Sequence, residues 1–236
     1  MKTKILVSLT TLNNPDWRKN VGDLKKFEIK EFALFPNCIN SQEEREELFK
    51  TIVKELGPVS IPFAHIRSDM HPNELDFMIR NFGTKAVNLH PTIDWPIIHD
   101  LDKYKNMIYI ENAGRAFVQG LTAEDLEGFA GVCLDLSHLE SVRLQNLPGY
   151  EINIGIAEKY KIGAIHMSAI ADAKMFIPEY DFWTNDRHYM DDLKQMDYLK
   201  RYYPKYFAPY AAIEVGNSIE DQIKMKKYIE NILHLN

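Results

Sequence analysis

The chain has 236 residues, 45% of them hydrophobic, enough to bury a full core, and an α/β barrel of about 250 residues is commonly one domain. A formal net charge of −6 argues against the broad positive surface that non-specific polyanion binding needs, though a local patch around a metal could still attract phosphate; duplex DNA is thus an uncertain partner and a small-molecule substrate stays open. Two cysteines, Cys38 and Cys133, cannot build a disulfide framework and read as buried thiols of a reducing compartment; with no run long enough for a bilayer, a cytoplasmic protein with no membrane partner is expected.

Lys2 and Lys4 precede Ile5-Leu6-Val7, a run too short for a signal-peptide core and read as the first strand, over residues 4–9. Residues 17–27 read as a helix and 28–35 as the second strand. Ser41 with Glu44 three positions on is a capping-box pattern that opens a helix to Leu56. The third strand ends near His65, a helix follows over 73–82, and the fourth strand ends at His90. A short helix over 94–104 leads to the fifth strand and Glu111. Thr122 with Asp125 starts a short helix before the sixth strand, which ends at Asp135. Residues 139–161 form the next crossover, into a strand ending at His166. An irregular connection and a helix over 188–203 then precede the eighth strand, which ends at Glu214. Ser218 with Asp221 caps the last helix, where Ile219, Ile223, Tyr228 and Ile232 keep roughly helical spacing. Eight strands alternating with eight helical segments, without repeat or linker, predict a (β/α)₈ TIM barrel forming a single domain over residues 1–236.

Six apolar runs end abruptly in an ionisable residue: His65, His90, Glu111, Asp135, His166 and Glu214. Near-continuous apolar runs mark parallel strands buried on both faces, and barrel active sites lie at the C-terminal strand ends, so the six should converge on one mouth. Singly, each is as readily a hydrogen-bonded strand end or a helix N-cap. Together, carboxylates crowded into one cleft would repel one another without a cation among them. Imidazole nitrogen and carboxylate oxygen at this density is ligand chemistry of zinc, manganese or iron rather than calcium. Arg67, Trp95 and Arg115, in loops leaving the mouth side, are candidate substrate contacts: an arginine grips phosphate through two nitrogens, and a tryptophan covers a base or a sugar. The basic and aromatic mixture at 198–207 resembles a single-strand binder but sits between a helix and a strand, where core aromatics flanked by snorkelling lysines are the simpler reading.

Across residues 60–215 the chain resembles the endonuclease IV branch of the xylose-isomerase-like barrels. Ala64-His65, Leu89-His90-Pro91, Ile110-Glu111-Asn112, Cys133-Leu134-Asp135-Leu136-Ser137-His138, Ile165-His166 and Ile213-Glu214 follow the family's order, and Asp186-Arg187-His188 matches its Asp-Arg-His tripeptide. The resemblance implies up to three zinc ions: one on His65, His90 and Glu111, a second sharing Glu111 and held by Asp135, His166 and Glu214, and a third on His138, Asp186 and His188. It implies phosphodiester hydrolysis, two ions activating a water and the third neutralising the leaving oxygen, with Glu214 and Glu111 as catalytic carboxylates and Glu214 orienting or deprotonating that water.

The sequence also departs from that branch. Ile66-Arg67-Ser68-Asp69 stands where DNA-acting relatives carry bulky residues, Ala169 replaces an acidic residue, and His90-Pro91-Thr92 and Tyr189-Met190-Asp191-Asp192 lack the family's glycines. These differences, with the shortness of the loops, point away from duplex DNA as substrate. An alternative from the same superfamily is a sugar isomerase or epimerase with one ion, manganese or another divalent metal, on Glu111, Asp135, His166 and Glu214; it requires neither His65, His90 nor the Asp186–His188 pair. A further alternative is a non-catalytic barrel with a residual metal site.

Overall fold

The apolar runs form a single all-parallel sheet in the computed structural model, which describes residues 3–12, 16–178 and 181–235. Its strands are β1 (Lys4–Leu6), β2 (Ser8–Thr10), β3 (Ala33–Phe35), β4 (Phe63–His65), β5 (Ala86–Leu89), β6 (Ile108–Glu111), β7 (Gly131–Asp135), β8 (Ile162–Met167) and β11 (Tyr210–Ile213), in the order β1-β11-β8-β7-β6-β5-β4-β3-β2. The two ends of that order are halves of one segment, interrupted at Val7. β1 pairs with β11 and β2 with β3, so the chain itself closes the ring and eight strand positions surround one axis. At the break the Val7 carbonyl accepts from Ala33 N–H at 2.9 Å. The Gln222 side chain brackets Ser8, accepting from its N–H at 2.7 Å and donating to its carbonyl at 3.1 Å. The barrel expected from the sequence is the fold observed.

Alternation along the strands sorts the core into two layers. Ile5, Leu34, Val87, Ile110, Leu134 and Ile165 face outward into the shell beneath the helices, whereas Leu6, Phe35, Phe63, Tyr109 and Cys133 fill the barrel axis. Ala33, Ala86, Ala164 and Ala212 share that interior and make room for the aromatic rings. Gly163 goes further: a Cβ there would lie 2.0 Å from the Tyr109 ring.

The outer ring comprises α1 (Trp17–Lys26), α2 (Gln42–Leu56), α3 (Pro72–Phe82), α4 (Arg115–Gln119), α5 (Leu136–Leu144), α6 (Gly149–Lys159) and α7 (Ile219–Ile232). Ser41 and Ser218 cap α2 and α7 as expected. His71 caps α3 in a capping box with Glu74, whose carboxylate also holds the buried Arg45 guanidinium at 2.7 and 3.0 Å. Arg45 in turn donates to the carbonyls of Ile39 and Asn40, fixing the loop after β3.

Several elements differ from expectation. The predicted crossover over 139–161 divides into α5 and α6 at Pro148. Residues 94–104 make turns and a 3₁₀ helix, Asp102–Met107, and Leu193–Arg201 is likewise 3₁₀. Thr122 and Asp125 exchange the expected cap bonds, but Asp125 is also gripped by Arg115 through two 2.8 Å bonds, and the chain turns where a helix was expected. The connection expected to be irregular is an antiparallel hairpin of β9 (Ala169–Ile177) and β10 (Phe182–Arg187). Cys133 is buried, but Cys38 is exposed at the barrel mouth. Lys2 lies outside the described residues. Among the described residues no helix is long and apolar enough to cross a membrane.

Candidate metal centre

Each strand delivers its ionisable residue to the same end of the barrel. His65, Glu111 and Asp135 are the last residues of β4, β6 and β7; His90 and Glu214 directly follow β5 and β11; His166 stands one residue before the end of β8. His138 joins them from the first turn of α5, because Asp135 is the N-cap of that helix. The hairpin carries Asp186, near the end of β10, and His188 just beyond it, back to the mouth.

Among the described residues the nine assemble into three overlapping groups, His65–His90–Glu111, His65–His166–Glu214 and Glu111–Asp135–His166–Glu214, and a separate one, His138–Asp186–His188; within each group the candidate ligand atoms lie within 4.8 Å of one another. His65 Nε2 and His90 Nε2 each lie 3.8 Å from Glu111 Oε2. His166 Nδ1 faces Glu214 Oε2 at 3.0 Å, Glu111 Oε1 at 3.5 Å and Asp135 Oδ2 at 3.9 Å. Asp186 Oδ2 lies 3.4 Å from His138 Nε2 and 3.8 Å from His188 Nε2.

A layer of hydrogen bonds sets these orientations. Asn88 donates to Glu111 Oε2 at 2.5 Å. The Asn112 side chain bonds the backbone of Asp135 in both directions, and Asp135 Oδ1 accepts from Ser137 N–H, the Ser137 hydroxyl and His138 N–H. His138 Nδ1 lies 3.2 Å from the Asn112 carbonyl and His188 Nδ1 3.1 Å from that of Glu214, so both rings donate from Nδ1 and keep the Nε2 lone pair for the cluster. The Asn37 side-chain nitrogen lies 3.3 Å from His65 Nδ1 and helps to set the orientation of that ring. The Ser168 hydroxyl reaches Asp186.

Against this well-bonded background, Asp135 Oδ2 and both ring nitrogens of His166 are buried without a hydrogen-bond partner. Orphan polar atoms of this kind are rare and costly, and a cation between Asp135 Oδ2 and the His166 nitrogen that faces it, Nδ1, would satisfy those two. The donor set, nitrogen and oxygen at a protein interior, fits a divalent ion of the zinc or manganese type.

The electrostatics agree. Burial disfavours the charged form of His65 and His90 and holds both below the ordinary imidazole value, so they present lone pairs. Burial opposes charge on His166 and His138 too, but Cys133, Glu111 and Glu214 outweigh it for His166, and Asp135 and Asp186 for His138, and both are raised. His188 is raised to about 9 despite burial, by Asp186 and Glu214. Burial alone would raise Glu111; His166, His65 and His90 hold it well below the usual carboxylate range. Without a metal, protons on imidazole supply the positive charge that the carboxylates require.

Above the cluster opens a cavity of ≈ 410 Å³. Of the three candidate substrate contacts, Arg67 and Trp95 line it; Arg115 does not, its guanidinium being committed to Asp125 and the Gly120 carbonyl. Sequence reasoning missed Phe117, Met175 and Ile177 in the wall, and Asn37, Asn88 and Asn112 in the supporting layer. Asn88 carried a signal, being a lone amide inside the apolar run Ala86-Val87-Asn88-Leu89.

No family model matches the sequence, and no curated protein is detectably similar to it. Solved structures are similar to it in fold. The IolI protein with a bound zinc atom is 14% identical, with 99% of this chain and 98% of that chain covered and a TM-score of 0.53. A xylose isomerase-like TIM barrel protein from Mycobacterium smegmatis in complex with magnesium is 16% identical, with 97% and 96% covered and a TM-score of 0.48. A xylose isomerase domain protein from Planctomyces limnophilus is 12% identical, with 100% and 96% covered and a TM-score of 0.48. This chain and the IolI structure share a fold, the (β/α)₈ TIM barrel.

Proposed function

We propose that the chain is a metal-dependent phosphoesterase with a multinuclear centre, zinc being the metal that its donor set suits best. The observation that carries this reading is the His138–Asp186–His188 group, which lies beside the other ligand groups with both Nε2 atoms turned toward one carboxylate oxygen. Divalent ions bound in these groups supply activation of water and neutralisation of charge on a phosphoryl group. The chain supplies the rest. Glu214, 4% exposed and lining the cavity, would orient the attacking water and take its proton. Glu111 is held for the same neighbourhood by Asn88.

A second reading has an observation of its own. Glu111, Asp135, His166 and Glu214 by themselves form a complete group of four, sufficient for a one-ion sugar isomerase or epimerase in which the two glutamates move a proton beside a carbonyl. Elemental analysis of protein purified without chelator separates the two: about three zinc per chain supports the phosphoesterase, about one manganese the isomerase. His65→Ala should remove most turnover of an aryl phosphodiester together with one metal equivalent. An isomerase activity that persists in His65→Ala, with no phosphoesterase activity in the parent, would reverse the assignment.

A further inference from the structure

The cavity over the ligand cluster is polar at its base and carbon-lined at its sides. Trp95 packs against His90 with ring centroids 4.6 Å apart. The indole has that place because Gly114 carries no Cβ, which would meet its Cη2 at 2.4 Å. Phe117 lies almost flat on His138, centroids 4.2 Å apart and planes 22° off parallel. The hairpin completes the wall with Met175 and Ile177.

The two faces of this hairpin differ. Met175 pairs with Thr184 and Ile177 with Phe182, so these four share one face and Phe176 and Trp183 pair on the other; Met175, 44% exposed, stands at the open rim of the cavity, and Ile177 is half-buried. The first face is pinned to the barrel: Phe182 stands edge-on to Phe117 at 5.1 Å, and the Thr184 and Ser141 hydroxyls are 2.8 Å apart. Gln145 holds the strand from its backbone, donating to the Trp183 carbonyl at 2.8 Å. The backbone that carries Met175 and Ile177 is thereby held at the cavity, and both side chains line it.

Cationic groups are scarce in the same wall. Arg67 is the one lysine or arginine lining the cavity among the described residues, and its guanidinium is occupied by Asp69 at 2.8 and 2.9 Å and by the Asn37 carbonyl at 2.7 Å. A nucleic-acid strand needs a succession of cationic contacts along its phosphates. A cavity of ≈ 410 Å³ instead has the size of a small-ligand pocket, which is mostly apolar with a few placed polar groups.

Resting on the phosphoesterase reading, we propose that the substrate is a small phosphoester of an apolar, aryl-sized alcohol. Its phosphoryl group sits at the ligand cluster and its carbon body against Trp95, Phe117 and the Met175–Ile177 edge of the hairpin, which makes Met175 and Ile177 specificity-determining residues.

The test is calorimetric binding to the zinc-loaded full chain, with inorganic phosphate, methylphosphonate and phenylphosphonate as probes that need no turnover. Phenylphosphonate should bind about 10- to 100-fold more tightly than methylphosphonate, the gain expected from burying one phenyl ring. The double variant Met175→Ala/Ile177→Ala should lose most of that preference while binding inorganic phosphate as the parent does, and Trp183→Ala, on the outward face of the same hairpin, should keep it. If inorganic phosphate binds but the two phosphonates bind equally, the inference fails and the phosphoesterase reading stands. If none of the three binds, the phosphoesterase reading itself fails. A loss of preference in Trp183→Ala as large as in the double variant would remove the role given to Met175 and Ile177.

Discussion

Replacing Asp135 with asparagine should separate its metal-binding role from its structural one, because its two carboxylate oxygens are used differently. Oδ1 caps α5, accepting from Ser137 and His138, while Oδ2 is buried, unpaired and aimed at His166 and His138. Asparagine is as good an N-cap as aspartate, so Asp135→Asn keeps the first function and removes the ligand charge of the second. With chelator present, the variant loses about 0.3–1 kcal/mol of charge–helix interaction and is relieved of one negative charge beside Glu111 and Glu214, which leaves the melting temperature nearly unchanged. With metal at about 100 times its dissociation constant, the parent gains about 2.7 kcal/mol, or roughly 5–11 °C for a chain of this length. Loss of a direct ligand costs at least the about 10- to 100-fold in affinity typical of a supporting residue, which removes about 1–2 kcal/mol of that gain. Thermal denaturation of both proteins, with chelator and with zinc or manganese, measures the difference. Equal metal-induced shifts in the two proteins would show that Oδ2 faces no cation.

Three further outcomes follow from other parts of the molecule. Glu74→Ala strands the Arg45 guanidinium, 1% exposed, and should cost about 3–5 kcal/mol in urea denaturation; a loss below about 1 kcal/mol would contradict the geometry described for that pair. Metal binding at His138–Asp186–His188 must displace the proton that His188, raised to about 9, carries below that pH, so affinity should fall by about tenfold per unit as pH drops below 9. Titrations at two pH values on the acid side of 9 that give the same affinity would refute this. Gly163→Ala drives a methyl into the Tyr109 ring and should destabilise the barrel by about 1–3 kcal/mol or more, read by the same denaturation; a neutral variant would mean that the interior has slack.

The barrel and the base of its site were legible because both rest on sequence-local patterns. A parallel strand buried on both faces must be apolar along its length, so a histidine or carboxylate that ends the run marks the place where the strand opens to the mouth. Caps were equally local, as Ser41 and Ser218 illustrate. The hairpin had no such signature. Ala169-Ile170-Ala171-Asp172-Ala173-Lys174 mixes small and charged residues because most of β9 is exposed, and its ladder needs no apolar face. Arg115 was hard to read for a different reason: an arginine near a mouth looks available for substrate until a buried partner, here Asp125, which the sequence marks only as a cap, is seen to hold it. Cys38 shows the same dependence on tertiary context: it is exposed on a loop held by Arg45 of the following helix, and Arg45 is itself oriented by Glu74 of α3.

The interruption at Val7 gives the ring a seam. Elsewhere each parallel ladder joins strands in adjacent positions of one continuous sheet, but here β1 and β2 take different neighbours, and the side-chain amide of Gln222, 214 residues away, brackets the peptide groups of Ser8 as another strand would. A contact so remote in sequence carries a large loop-closure cost and forms late. The seam should therefore be where the cylinder is finally zipped during folding and where it first unzips, with the amide protons of residues 4–10 exchanging ahead of those in β5–β8. Because that segment and α7 lock one another, a substitution at Gln222 would loosen the barrel without touching any residue of the metal centre.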